Sequence, residues 1–240
     1  MIKFIVKRLL IAIPTLLVII AFGFIMMRVA PGGPFTNERA LPPEIERNIQ
    51  EAYNLNKPLY EQFFIYIKNL SVGDFGPSFK YKDFTVNELI LSGLPVSVTL
   101  GLSSIIISLF IGCFLGIVAA IKRNTYFDYS VMSISLIGIC IPSFVMAPLL
   151  SLFFGLYLGL LPTSGWNGGN VLNLILPITA LSLPQIAVIS RMMRASTIEV
   201  LNSNFIRTAR SKGLSPSYIV RKHVIRASIL PIIEYLAPAS

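Results

Sequence analysis

Four long runs of uncharged, mostly apolar residues set the strongest constraint on the fold of this chain. The first run, residues 9–27, is about as long as a helix needs to be to cross the hydrocarbon core of a bilayer. Only 13% of the 240 residues are charged, about half the share typical of soluble domains. We therefore expect an all-α polytopic membrane protein, with transmembrane helices within residues 1–30 and at about 94–121, 131–161 and 171–190.

The segment between the first two spans, residues 31–93, is polar and carries eight acidic and six basic residues. Two amphipathic helices are predicted in it, one starting at Pro43 and one at Pro58, because proline is favoured at the first position of a helix. We expect a small helical loop domain on the outer face. No small-residue cleavage site follows the first run, so an uncleaved span is expected rather than a signal peptide.

The third run is too long for one straight span, so a tilt, a break or an interfacial tail has to absorb the excess. Pro142 and Pro148 are the predicted kinks in it, and Pro177 and Pro184 are the corresponding candidates in the fourth run. A proline in a membrane helix frees a carbonyl group and can mark a hinge or line a pathway. It is at least as often only a kink, and both interpretations stay open.

Small and sulfur-containing residues in the second and third runs have simple structural explanations. Gly112 and Gly116 form a small-xxx-small pair, which lets two helix backbones approach closely in lipid. Cys113 and Cys140 lie inside apolar runs, so we expect core residues rather than a disulfide or metal ligands.

Residues 203–231, here called the basic segment, carry six lysines and arginines, one histidine and no acid. If the chain crosses the membrane at each run, thirteen basic residues near the span ends lie on the same side as the basic segment, and seven lie on the other side. Six of those seven are in the long loop 31–93, which counts little because the positive-inside rule applies to short loops. The positive-inside rule therefore puts the N-terminus and residues 191–228 in the cytoplasm, with residues 229–240 starting a fifth helix. Anionic membrane lipid explains the net charge of +9 better than nucleic acid does.

The basic segment has the pattern of two short amphipathic helices joined by a turn. Gly213 stands where a helix needs a residue with positive φ in order to stop. Two apolar pairs four residues apart predict the buried faces; they are Phe205 with Ala209, and Val220 with Val224. The predicted capping residues are Ser203 or Asn204 for the first helix, and Ser215 followed by Pro216 for the second.

The sequence RTARSKGLSP, residues 207–216, resembles the EAA loop of ABC-importer permeases, in the variant found in dipeptide and oligopeptide permeases. RVAPGGP, NKPLYEQ and GDFGPSF are also similar to that family at the corresponding places. Arg207 stands where the general motif has glutamate, which argues against a sugar importer.

The resemblance implies a type I ABC importer permease fold, with four complete transmembrane helices and the start of a fifth. Family members continue through a fifth and a sixth span, so a C-terminally truncated chain is expected. In that family the EAA loop docks on a separate ATPase subunit, and a second permease subunit, two ATPase subunits and an extracytoplasmic peptide-binding protein complete the complex. The residues then expected to dock are Arg207, Thr208, Ala209, Lys212 and Gly213.

The sequence carries no motif for chemistry of its own. It has no phosphate-binding loop of the G-x-x-x-x-G-K-[ST] type, so ATP is expected on the partner subunits and no cofactor on this chain. No catalytic grouping and no metal-ligand spacing is present, and no charged residue lies inside the four runs, as ion relays usually require. We expect a transport subunit rather than an enzyme.

Two alternatives remain at this stage. A nickel-type ABC permease would have similar loops, and a non-transporting membrane scaffold would share the hydropathy and the basic loops. Co-purification in mild detergent would discriminate the scaffold, because it should come out without a nucleotide-binding subunit. The sequence does not predict the length or the side-chain preference of a transported peptide.

Overall fold

The computed structural model describes residues 2–29, 55–78, 81 and 84–237. In these ranges the chain is helical apart from turns, bends and one isolated bridge between Pro77 and Thr85. Backbone contacts divide the chain into two units, Met1–Leu94 and Pro95–Ser240. The helix predicted to start at Pro43 lies outside the described residues.

The first unit contains helix α1, Ile2–Val29, and helix α2, Leu59–Ser71. Most described side chains of α1 are exposed, and Phe24 is the buried exception. Its ring lies 5.4 Å from the ring of Phe63 on α2, centroid to centroid. Helix α2 begins at Leu59, one residue after the predicted start at Pro58, which occupies the N-cap position instead.

Helix α3, Val86–Ile121, begins eight residues before the predicted start at residue 94. Thr85 and Glu88 explain the earlier start, because they form a capping box. The Glu88 carboxylate accepts the Thr85 backbone N–H at 2.8 Å, and the Thr85 hydroxyl accepts the Glu88 N–H at 3.2 Å. The apolar run therefore begins later than the helix that contains it.

The predicted third span is broken in two. Helix α4, Tyr126–Cys140, is followed by helix α5, Ser143–Leu150, which continues as a π-helix over Ser151–Tyr157. The two helical pieces are bent by 101°. The bend falls at Pro142, because the ring of a proline disfavours helical geometry in the residue before it; Ile141 accordingly has extended backbone angles, φ −90° and ψ 114°.

Helix α6, Val171–Leu201, runs eleven residues past the predicted end at residue 190. The prediction ended it where Arg191 follows the apolar run. A basic residue marks where a helix leaves the apolar layer, whereas its end depends on local backbone hydrogen bonds. The first part of the predicted loop 191–228 is therefore helical.

The second unit is built around α6. A Cβ atom on Gly112 would lie 2.8 Å from the Ile189 side chain, and one on Gly116 would lie 2.5 Å from the Ser190 carbonyl oxygen. This confirms the predicted close packing at both glycines. The residue numbers of the contacting positions increase in the same direction on both helices, so α3 and α6 run parallel.

Helix α4 packs on α6 in the opposite direction. The Ser135 and Ser190 hydroxyls lie 2.9 Å apart, while a Cβ on Gly138 would lie 3.4 Å from the Ala187 side chain. The residue numbers of the contacting positions increase along α4 while they decrease along α6, so these helices are antiparallel. The end of α3, the start of α4 and the end of α6 consequently lie at one end of the second unit.

Three of the described helices, within α1, α3 and α6, are long and apolar enough to cross a membrane. A fourth span results if α4 and the bent helix after it count as one. The described part of the chain is thus helical with three to four apolar spans, in agreement with the predicted class.

Candidate functional site: the basic segment

The first helix of the basic segment is α7, Asn204–Ser211. Ser203 occupies the N-cap position, but its hydroxyl donates back to the Val200 carbonyl oxygen at 2.6 Å rather than capping α7. Phe205 is 51% exposed, so the predicted pair of Phe205 and Ala209 is wrong. Ile206 and Ala209, three residues apart, form the buried face instead.

The turn after α7 is a Schellman motif, in which a residue in the left-handed region closes the helix end. Gly213 has φ +75°, as predicted. Its N–H donates to the Arg210 carbonyl at 2.9 Å, and the Leu214 N–H donates to the Ala209 carbonyl at 3.4 Å. A Cβ on Gly213 would meet nothing within 4 Å, so glycine is required here by the backbone angle alone.

The chain after the turn is one helical run. Helix α8, Pro216–Ile219, has Pro216 at its first position, as predicted, and Ser215 at the N-cap position, but the Ser215 side chain makes no capping hydrogen bond. It continues through a π-helical turn, Val220–Val224, into helix α9, Ile225–Ser228, and helix α10, Leu230–Leu236. Ile229, between the last two, also has helical backbone angles.

The π-helical turn determines which residues of this run are buried. The buried positions are spaced five, four and four residues apart: Ile219, Val224, Ser228 and Ile232. The step of five spans the π-turn, which has a wider repeat than an α-helix. The predicted pair of Val220 and Val224 is therefore wrong, because Val220 is only partly buried and Ile219 takes its place.

A small apolar core holds the basic segment to the end of α6. Its buried members come from both helices of the segment: Ile206, Ala209, Ile219 and Val224. Val200 and Leu201, the last two residues of α6, pack against this core. A displacement of the segment would therefore act directly on α6.

Farther along, α10 returns beside α6. Ile232 packs with Ile189 and Met193, and the Tyr235 hydroxyl donates to the Gln185 side-chain oxygen at 2.6 Å. The contacts with α6 thus extend from the corner of the segment into the start of the predicted fifth helix.

The five predicted docking residues are distributed over both sides of the segment. Arg207, Thr208 and Lys212 are exposed, and Gly213 forms the exposed corner. Ala209 is 8% exposed and belongs to the apolar core, so its contacts in this structure are internal. A second exposed cationic stripe lies on the following helical run, where Lys222 donates to the Tyr218 hydroxyl at 2.6 Å; its cations are Arg221, Lys222 and Arg226.

The four candidate prolines occupy different surroundings. Pro142 lies at the break before α5 and Pro148 inside α5, and both are exposed. Pro177 and Pro184 lie half-buried inside α6, which continues as one helix through both positions. A role for any of them in a pathway stays a prediction.

An ion pair next to the basic segment was missed by the sequence analysis. Asp128, in the first turn of α4, accepts from Arg194 Nε at 2.5 Å through one oxygen and from Arg194 Nη2 at 2.7 Å through the other. The Asn124 backbone N–H also donates to Asp128 at 3.0 Å. Asp128 is 1% exposed. One signal was available, because Asp128 is the only acid between Glu88 and Glu199.

Two family models together match almost the whole chain. Residues 112–240 match the binding-protein-dependent transport system inner membrane component, and residues 1–103 match the N-terminal region of the membrane component of such systems. The first match covers more than half of the chain. This chain belongs to that family.

Relatives in this family extend the similarity over the full chain. The oligopeptide transport system permease protein OppB of Haemophilus influenzae is 55% identical over 239 residues, 100% of this chain and 78% of the relative. OppB of Escherichia coli is 52% identical over the same shares. The dipeptide transport system permease protein DppB of Bacillus subtilis is 39% identical over 98% of this chain and 76% of the relative. The predicted recognition of a peptide-type permease is confirmed.

Proposed function

We propose that this chain is a transmembrane permease subunit of an ATP-driven peptide importer in the bacterial inner membrane. The relatives named for oligopeptide and dipeptide transport are similar along almost the entire chain, which supports a peptide as the substrate. No observation of comparable weight favours a nickel-type permease or a scaffold.

The observation that carries the proposal is the way in which the basic segment is attached. Its apolar core, centred on Ile206, fixes it to the end of α6, while Arg207 and Lys212 remain exposed for a partner. A firmly attached segment with an exposed cationic surface suits the transfer of force from another protein. We assign the docking of a separate ATPase subunit to Arg207, Thr208, Lys212 and the corner at Gly213, with Ala209 supporting them from beneath.

The helix directions support a cytoplasmic position for this segment. Helices α3 and α6 both end at the end of the second unit where the basic segment lies. Two basic residues that follow α3, Lys122 and Arg123, lie at the same end. Basic residues in short loops favour the cytoplasmic side. We therefore place the basic segment in the cytoplasm. The same rule favours a cytoplasmic N-terminus, because Lys3, Lys7 and Arg8 precede the first apolar run.

The partners of this subunit supply the remaining functions. ATP is bound by two ATPase subunits, a second permease subunit completes the membrane pathway, and an extracytoplasmic binding protein delivers the peptide. We expect no cofactor on this chain; its own contribution is to convert the movement of the ATPases into a rearrangement of the helices around α6.

Replacing Gly213 with valine tests the docking role. A β-branched residue with positive φ strains the turn by roughly 1–2 kcal/mol, so the corner should change shape while the spans still insert. Gly159→Val is the matched control, because Gly159 has φ +63° and also meets nothing within 4 Å, but lies outside the basic segment. The measurement is ATP hydrolysis and peptide uptake by the complete importer in liposomes.

We expect Gly213→Val to abolish peptide-stimulated ATP hydrolysis in a complex that is still present in the membrane. Gly159→Val should retain most of it. Normal uptake by the Gly213→Val complex would overturn the docking role of the segment.

A further inference from the structure

The ion pair between Asp128 and Arg194 lies where two helices meet beside the basic segment. Arg194 precedes Leu201 by seven residues, about two turns or 10 Å of helix, and Leu201 packs on the core of the segment. Asp128 lies in the first turn of α4, which runs from there to the break at Pro142. The pair therefore joins α4 to the part of α6 that leads directly into the segment.

The geometry of the pair fixes direction as well as distance. Both carboxylate oxygens of Asp128 are engaged by the fork of one guanidinium group, which restrains rotation more than a single contact would. Asn124, with φ +62°, brings its backbone N–H to the same carboxylate. The turn between α3 and α4 is thereby drawn into the same contact.

Stability alone does not account for such a pair. Asp128 is 1% and Arg194 25% exposed, so the carboxylate in particular loses hydration, and apolar residues of similar volume often serve stability as well as or better than a buried ion pair. What an apolar pair lacks is a fixed register, which is the best-attested use of buried polar pairs. Arg191, one turn away on α6, shows the contrast, because it is exposed and has no carboxylate partner among the residues that the structure describes.

We propose that Asp128 and Arg194 are positioning residues for energy coupling. They hold the adjoining ends of α4 and α6 in one register, so that a displacement of the basic segment moves both helices as a single body. This inference rests on the proposed function, since it assumes that an ATPase displaces the segment.

The test uses the complete importer in liposomes and measures the number of peptides transported per ATP hydrolysed. The double variant Asp128→Leu with Arg194→Met replaces the pair by apolar residues of similar length. The ratio should fall at least about fivefold, the lower end of the usual coupling between sites. Arg191→Met, which removes an exposed arginine from the same helix, is the control and should leave the ratio unchanged.

Arg194→Lys provides a second variant in case the double variant does not assemble. Lysine keeps the charge but lacks the fork, so assembly should persist while the ratio falls by a smaller factor. A ratio equal to that of the unaltered importer, in either variant once assembled, would overturn the positioning role.

The unaltered importer separates the two claims. If it transports peptide on addition of ATP and the variants do so with the same ratio, the positioning role fails and the proposed function stands. If it transports no peptide at all, the proposed function itself fails.

Discussion

Two regions of the second unit use glycine for opposite reasons. At the seam between α3 and α6, Gly112 and Gly116 have ordinary helical angles, and a Cβ at either position would collide with α6. At the corner of the basic segment, Gly213 has open space around it and needs glycine for its positive φ. One region is limited by space and the other by backbone conformation.

The difference reflects the two solvents that the regions are expected to meet. Lipid tails are as apolar as leucine, so helices in a membrane associate through close approach and hydrogen bonds rather than through hydrophobic burial. On the α3 side the seam accordingly buries small residues and hydroxyl groups, which let the larger Ile189 and Met193 of α6 pack closely against them. The basic segment buries isoleucine and valine beneath exposed cations, as a water-facing structure does.

The largest expected effect is at the seam. Gly116→Val places a branched side chain within 3.0 Å of the Ser190 carbonyl oxygen, the Met193 Cβ and the Arg194 backbone nitrogen. None of these atoms can move independently of the α6 backbone, so α6 as a whole has to move. We expect a destabilisation at or above the upper end of the about 1–3 kcal/mol usual for overpacking. The loss of stability is measured by thermal unfolding of the purified complex, with size-exclusion chromatography as the readout.

Gly101→Val is the control for this prediction. Gly101 lies on the same helix, and a Cβ atom there would meet nothing within 4 Å. Equal stability of the two variants would mean that the seam does not hold α3 to α6.

A second prediction probes the core of the basic segment. Ile206 is completely buried, and truncation to alanine should cost about 2–5 kcal/mol locally. The comparison predicts that the segment loosens from α6 while the seam stays closed. Hydrogen exchange should show faster exchange across α7 and unchanged exchange in α3.

The neighbouring residue Phe205 offers a matched control for that experiment. It is 51% exposed, so Phe205→Ala should change the exchange rates little. Faster exchange in both α7 and α3 of Ile206→Ala would show that the two regions form one cooperative unit.

The smallest expected effect concerns a hydrogen bond across α4 and α6. Ser135→Ala removes the contact with Ser190, and hydrogen bonds between membrane helices average about 0.6 kcal/mol. The melting temperature should fall by about 1–2 °C. Ser133→Ala, at an exposed position on the same helix, should not lower it; an equal fall would assign the effect to helix propensity.

Local signals in the sequence predicted a large part of this structure. The positive φ of Gly213, the helix start at Pro216 and the close packing at Gly112 each follow from rules that act over a few residues. The membrane class followed from composition. These are features for which the alternatives are sterically or energetically excluded.

Several errors arose where distant contacts decide. Phe205 and Ile206 are both apolar, and only the position of α6 determines which is buried. Asp128 and Arg194 are 66 residues apart, so no local pattern connects them. One error was local: the predicted start of α3 followed the apolar run, and the capping box of Thr85 and Glu88, which sets the actual start, was overlooked.

The wide turn at Val220–Val224 has a consequence for how this part of the chain tolerates length changes. Each residue added to a regular helix rotates everything beyond it by about 100°, which would turn Ile232 away from Ile189. Here the surplus residue is taken up within one loosened turn. Proteins built on the same plan can therefore differ by one residue at this point and still present the same side of the following helix to its neighbour.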